Sequence, residues 1–544
     1  MNAVTFNTRA ALDRKSARIL PQYNSLQHRP WWKAASVAFV VMGVFLTMYT
    51  GFLVAVGGTM AFRFVGFPIG LMALFGLWLL PDVDKADSTP FYKLLAAYMF
   101  LTVAWPSYIA IAIPGLPWMT PPRMILAVLL LSMLTHFPQI AEARRKVVDL
   151  ITYDGLAFKL YMLFVVMELV VIPLAVSPLD VLSYEIMQSV LDLSAMVAAA
   201  WLFSDVRNVP RLMRVFVYAA IFTMLVAILE NFMQRPPWMG YIPSFFKIDA
   251  DLLETYMSPQ ARIGDGRYRV RATFGIVLYY SQYLGIVIPP LLYEMWRMRG
   301  WKRAVALLLI PLILQAVWFC NARTAFVAMF VSLFGYAGMI MVRQLFFKKP
   351  GDALKPGILA ALVLLSIAGM AGAIATSHRL QMYTIGGNQH AGSNAVRDQQ
   401  WAGAWRAVAR NPIGVGMGTP LPEVGAVSKK GIAIVDSYYI NLLVGVGPLG
   451  FIGFIGCLAR VAWLGVVTFM RATEEIDEWG GALALAMINF IISLYVISFA
   501  DNNYLMFTVA VALLALHRNQ SARIAAAQSE PKALMSPSTA LARR

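Results

Sequence analysis

The chain has 544 residues, of which 59% are hydrophobic and 13% charged. Soluble domains carry about 45–50% apolar residues, so a water-soluble globular fold is excluded and a polytopic membrane protein is expected. Lys and Arg number 45 against 28 Asp and Glu. In a membrane protein most of that excess is a topology signal, because basic loops stay cytoplasmic, so nucleic acid is not an expected partner. The two cysteines, Cys320 and Cys457, have no CxxC or metal-ligand spacing, which argues against a disulfide framework or a zinc site.

Residues 1–33 form a basic tail with Arg9, Arg14, Lys15, Arg18, Arg29 and Lys33, read as cytoplasmic and uncleaved because no apolar h-region with a small-residue cleavage site precedes the first long span. Apolar segments follow at roughly 34–53, 62–80, 92–113, 122–137, 156–176, 186–204, 212–230, 273–293, 303–320, 323–342, 356–376, 448–469, 480–499 and 502–517. About 20 apolar residues cross a bilayer as a helix, so the expectation is an all-α polytopic membrane protein with about 12–14 transmembrane helices. An even count starting inside returns both termini to the cytoplasm. It also places "EARRK" at 142–146, "RNVPRLMR" at 207–214, "RMRGWKR" at 297–303 and "VRQLFFKK" at 342–349 inside, in keeping with the positive-inside rule.

The chain then divides into an N-terminal transmembrane scaffold at 34–230, an outer loop at 231–272, central helices at 273–376, a large outer loop at 377–447, C-terminal helices at 448–517 and a disordered cytoplasmic tail at 518–544. Both outer loops depart from the charge rule. The first holds Arg235, Lys247, Arg262, Arg267, Arg269 and Arg271, the second Arg379, Arg397, Arg406, Arg410, Lys429 and Lys430. Cations gathered on the outer face suit an anionic ligand, although exported loops also translocate regardless of charge and pair with their own acids.

"RVRATFG" at 269–275 precedes one span, and "CNART" at 320–324 opens another with Arg323. A guanidinium at the edge of hydrocarbon either snorkels to headgroups or binds an anion, and its planar fork suits a pyrophosphate. In the second loop, Trp401, Ala404, Trp405, Val408 and Ala409 have the spacing of an amphipathic helix on the membrane surface, ending at Asn411-Pro412. Gly414, Gly416 and Gly418 then permit positive φ and close approach of backbone amides to a ligand; without a βαβ setting they do not bind a dinucleotide. Asp436, ahead of the apolar helix that starts near Tyr439, is read either as an N-cap or as a carboxylate able to accept a hydroxyl proton. His378 and His390 are backup bases. The Asp-Ala-Asp at 249–251 is a weak metal motif, and Tyr279, Tyr280 and Tyr283 are read as packing.

The order Arg271-x-x-x-Gly275, Asn321-x-Arg323-Thr324, the Asn-Pro-x-x-GxGxG loop, a polar pair, an aromatic, a leucine-rich helix and "GxxGF" resembles the O-antigen ligase and polymerase superfamily over about residues 265–456. The resemblance implies a GT-C-like glycosyltransferase of the bacterial inner membrane whose active site faces the periplasm. It implies transfer of glycan from undecaprenyl pyrophosphate without metal or cofactor. Donor and acceptor would be undecaprenyl-pyrophosphate-linked oligosaccharides, with a flippase and chain-length or export proteins as partners. Carried over by position, Arg271, Arg323 and Arg397 hold the pyrophosphate and Asp436 is the catalytic base, with Arg269, Arg379, His378 and Tyr439 as secondary candidates. Ligases of the family place His-Asn where this chain has Asp436-Ser437, which favours a polymerase of exopolysaccharide or surface-polysaccharide repeats over a ligase acting on lipid A core. A flippase would need cations along a central path and matched halves, and the sequence has neither.

Overall fold

The computed structural model describes residues 89–111, 119–137, 140–175, 178–248, 263–264, 267–347, 391–417, 424–427, 433–497 and 502–529, with isolated helical positions between 357 and 376. The expected spans at 34–53 and 62–80, nearly all of 356–376, and the candidates Arg262, Arg379, His378, His390 and Gly418 lie outside the described residues. So do the Asp-Ala-Asp at 249–251 and residues 530–544.

The helices are α1 (Thr89–Ala104), α2 (Pro121–His136), α3 (Ala141–Ile151), α4 (Gly155–Val171), α5 (Pro178–Phe203), α6 (Asn208–Met233), α7 (Val277–Arg297), α8 (Trp301–Leu307), α9 (Leu309–Cys320), α10 (Arg323–Phe347), α11 (Ala391–Arg410), α12 (Tyr438–Gly445), α13 (Gly447–Met470), α14 (Trp479–Ser493) and α15 (Asn503–Ser529). Among the described residues, strands are confined to two antiparallel pairs of two residues each, β1 (Ile263–Gly264) with β2 (Arg267–Tyr268), and β3 (Ala426–Val427) with β4 (Ala433–Ile434). Among the described residues six helices are long and apolar enough to cross a membrane: Gly155–Leu174, Asn208–Met233, Trp301–Cys320, Arg323–Phe346, Gly447–Met470 and Glu475–Ser493. The protein is an all-α polytopic membrane protein.

The chain forms two compact units. The first comprises residues 1–149, 189–204 and 218–276, and the second 150–188, 205–217 and 277–544. In the first, α1 packs on α2. Beside them a small aromatic core gathers Tyr108 and Ile109 with Trp105, Trp238 and Phe246, and Trp238 Nε1 donates to the Tyr108 hydroxyl at 3.1 Å.

In the second unit α13 packs along α4, α14 and α15, while α7 packs against α10 and α14. Hydrophobic sequestration does little to hold helices together in lipid, so close approach and polar ties decide. Gly453 of α13 lies where an added Cβ would sit 2.8 Å from the Leu160 carbonyl oxygen of α4, so the two backbones nearly touch. At the end of that contact Asp154 caps α4 by accepting from the Ala157 amide at 2.8 Å and holds the Arg460 guanidinium of α13 at 2.8 and 3.2 Å. This charge-assisted bond holds the Asp154 carboxyl below its ordinary range. Between α7, α10 and α14, the Asn489 amide donates to the Gly285 carbonyl at 2.8 Å, the Ser332 hydroxyl at 2.8 Å and the Ala328 carbonyl at 3.3 Å.

The stretch Glu474–Glu478 ties several helix ends. Glu475 pairs with Arg297 at 2.8 Å, Glu478 with Arg343 at 3.1 Å, and Glu474 and Asp477 both with Arg523. Gln520 also donates to the Thr468 carbonyl at 2.9 Å. These contacts correct one expectation: residues 518–529 are not a disordered tail but the last turns of α15, because Gln520 and Arg523 find partners that polar tail residues ordinarily lack.

Candidate functional site

In the first unit, Arg271 stands in a turn built by a buried acid. Glu230 of α6 is fully buried, and its oxygens accept from the Tyr268 hydroxyl at 2.9 Å, the Arg271 amide at 3.2 and 3.3 Å and the Ala272 amide at 2.7 Å. Those bonds hold Ala272 at φ 49°, a left-handed conformation that a Cβ disfavours. The Arg271 guanidinium then reaches forward and donates to the Gly275 carbonyl at 2.9 Å. The Arg-x-x-x-Gly spacing is thus the reach of one side chain across one turn. Arg271 is 7% exposed and is packed in protein, not extended along a surface. Arg269, two residues earlier, is half-buried.

In the second unit, Asn321 explains how α10 can begin at Arg323. It is the C-cap of α9 at φ 49°, ψ 41°, and its amide returns to the Trp318 carbonyl. Asparagine is one of the few residues with a Cβ that tolerate this conformation, so the chain reverses within two residues. Arg323 is then the first residue of α10, at the positive end of the helix dipole, where a cation is disfavoured and an anion is welcome. Thr324 beside it shares a hydrogen bond with Ser281 of α7 at 2.7 Å. The next residue of α7, Gln282, is held by the Ser493 hydroxyl of α14 and the Asn502 amide, each at 2.8 Å.

The end of α14 carries the start of α12. The Leu494 carbonyl accepts from the Tyr438 amide at 3.0 Å and the Ile491 carbonyl from the Tyr439 hydroxyl at 2.6 Å. Burial pushes the Tyr439 hydroxyl up to about 12, so it stays a neutral donor and serves as a strut. Asp436 precedes this start, and its amide donates to the Gln400 side-chain oxygen of α11 at 3.0 Å. The N-cap of α12 is Ser437, not Asp436, and no side-chain cap bond forms. The Asp436 carboxylate is therefore not spent on capping, and it is half-buried.

Helix α11 positions Gln400 with a stripe of Ala404, Ala407 and Val408 packed on Val435, Ile440, Leu443 and Val444. Trp405 and Ala409, expected on the same face, are exposed: the buried face follows the α12 contact. Arg397, half-buried, lies one turn before Gln400. The glycine loop also differs from expectation. Gly414 and Gly416 do have positive φ, of 106° and 91°, but the Val415 and Gly416 amides donate to the Val444 and Gly445 carbonyls at 3.0 and 2.9 Å. The loop clamps the junction of α12 and α13 instead of offering those amides to a ligand.

The second unit thus joins the α11 helix of Arg397 to the Asp436 segment through Gln400, and links that segment to α14, α7 and the start of α10 at Arg323. Arg269 and Arg271 belong to the first unit. Sequence reasoning missed Glu230, Gln400, Ser281 and Gln282. For Gln282 a signal existed, a polar amide inside an apolar span, which is costly in lipid unless bonded.

Fold and site together define a multi-pass helical membrane protein with a guanidinium at one helix start and a carboxylate at the head of another. Residues 304–455 match the family model described as O-antigen ligase, so this stretch of the chain is similar to the O-antigen ligase and polymerase superfamily. The family indicates a glycosyltransferase-like enzyme. The matched stretch contains Arg323, Arg397, Asp436 and Tyr439 and begins after Arg271. No curated protein matches the chain.

Proposed function

We propose that the protein polymerises undecaprenyl-pyrophosphate-linked oligosaccharides into a bacterial surface polysaccharide or exopolysaccharide, at the periplasmic face of the inner membrane and with both termini in the cytoplasm. The observation that carries this reading is that Arg323 at a helix start and Asp436, whose amide is held by Gln400, lie inside the matched stretch and in one compact unit.

In the reaction a hydroxyl of one repeat unit attacks C1 of the glycan on a second carrier. The bond from C1 to the pyrophosphate oxygen breaks with inversion, the carrier leaves as undecaprenyl pyrophosphate, and the hydroxyl proton passes to the Asp436 carboxylate. Arg323 and Arg397 take up the negative charge that grows on the departing diphosphate. Fixed guanidiniums serve where charge develops, and the energy comes from the carrier linkage. A flippase would supply the carrier-linked units and chain-length or export proteins would receive the product.

Asp436-Ser437, standing where ligases of the family place His-Asn, favours repeat-unit polymerisation over ligation to lipid A core. The test is purified protein with carrier-linked repeat units in EDTA. A ladder of longer carrier-linked products is expected. Transfer to added lipid A core would make the protein a ligase, and unreacted substrate moved across vesicles would make it a flippase.

A further inference from the structure

Around the Asp436 segment stands a row of aromatic rings that the transfer chemistry does not use. Trp401, the residue after Gln400, stacks on Tyr495 with centroids 6.0 Å apart and planes 22° apart. Tyr495 meets the Tyr439 ring edge-on at 6.4 Å, and Trp405 continues the row at 6.4 Å from Trp401. Tyr495 is 45% exposed and Trp405 57% exposed, so ring surface remains open. Neighbouring contacts fix the row in place: the Leu494 carbonyl holds the Tyr438 amide, and Gln400 holds the Asp436 amide.

We propose that Tyr495, backed by Trp401, is a sugar-stacking shelf that seats a ring of the carrier-linked glycan beside Asp436. This rests on the glycosyltransferase reading and names what the open ring surface contacts. A pyranose has one face of polarised C–H bonds, which suits the negative face of an aromatic ring, and a rim of hydroxyls that needs hydrogen-bonding partners. Polar groups stand close by in the chain: Gln400 precedes Trp401 and holds the Asp436 amide, and Arg397 lies one turn earlier on α11. A lipid acyl chain has no hydroxyls and would leave those polar groups facing hydrocarbon at a cost. Trp401 keeps the Tyr495 ring in plane, so the stacking surface is set before the glycan arrives.

The experiment compares the affinity of purified protein for undecaprenyl pyrophosphate and for carrier-linked oligosaccharide extracted from the source cells. Tyr495→Leu is expected to weaken binding of the glycan-bearing carrier by roughly threefold to tenfold, the range of an aromatic contact, while leaving undecaprenyl pyrophosphate binding unchanged. Tyr495→Phe keeps the ring and should retain most of the affinity. Equal loss for both carriers, or a lowered melting temperature without selective loss, would make the ring ordinary packing and overturn the shelf. Strong quenching of Trp405 fluorescence by brominated lipid, unrelieved by the glycan-bearing carrier, would assign the rings to acyl chains and overturn it too. Wild-type protein that binds neither carrier would refute the glycosyltransferase reading itself, a result distinct from these.

Discussion

Glu230 accepts the amide of Ala272 at 2.7 Å and so holds a residue with a Cβ at φ 49°, forty-two positions further along the chain. One buried carboxylate shapes the turn that presents Arg271. Glu230→Ala leaves two amides and the Tyr268 hydroxyl without their acceptor, at a cost of about 3 kcal/mol. Glu230→Gln retains one acceptor oxygen and should lose about 1–2 kcal/mol. Ala272→Gly removes about 1 kcal/mol of left-handed strain and should be tolerated. Thermal unfolding in detergent measures all three. Wild-type melting of Glu230→Ala would show that the turn stands without its acid.

Asp154 joins α4 to α13. Asp154→Asn keeps a good helix cap but gives up the charged bond to Arg460, and should cost about 1–2 kcal/mol; Asp154→Ala loses the cap as well, about 1 kcal/mol more. The pH dependence follows from the lowered carboxyl value. The unfolded chain binds a proton at the ordinary value of 3.8 before the folded chain does, so the contribution is complete above that pH and is lost as pH falls toward the folded value. Acid unfolding of wild type should therefore be steeper below the ordinary value than that of Asp154→Asn. Superimposable acid limbs would count against it.

Gly285 is a contact point between α7 and α10. A Cβ there would lie 2.8 Å from the Ala328 Cβ and 3.5 Å from the Asn489 Cβ. Gly285→Ala should destabilise by about 1–3 kcal/mol through overpacking, and adding Ala328→Gly should recover much of the loss. A double variant no better than the single one would place the cost elsewhere.

The expected spans near 122, 156, 212, 323 and 448 begin within a few residues of α2, α4, α6, α10 and α13, because lipid thickness writes itself directly into runs of apolar residues. Asn321-Ala322-Arg323 was legible as a break for a similarly local reason: a left-handed turn residue separates two apolar runs. What was not legible depends on distant partners. Glu230 reads as an acid at a span end until Ala272 folds back on it, and Gln400 reads as a loop amide until Asp436, thirty-six positions on, donates to it. Gly414 and Gly416 announced their positive φ, but their sequence could not say that carbonyls at 444 and 445 would engage the loop. Arg523 looked like tail because its acids lie in another segment.

Arg323 tests most directly whether fixed guanidiniums grip the diphosphate of a lipid carrier. An ammonium keeps the charge but not the bidentate fork. Titration of undecaprenyl pyrophosphate into wild type and Arg323→Lys, with melting temperatures measured alongside, should give at least about a tenfold weaker affinity for the folded variant, roughly 1.4 kcal/mol. Equal affinities in two equally folded proteins would contradict the account.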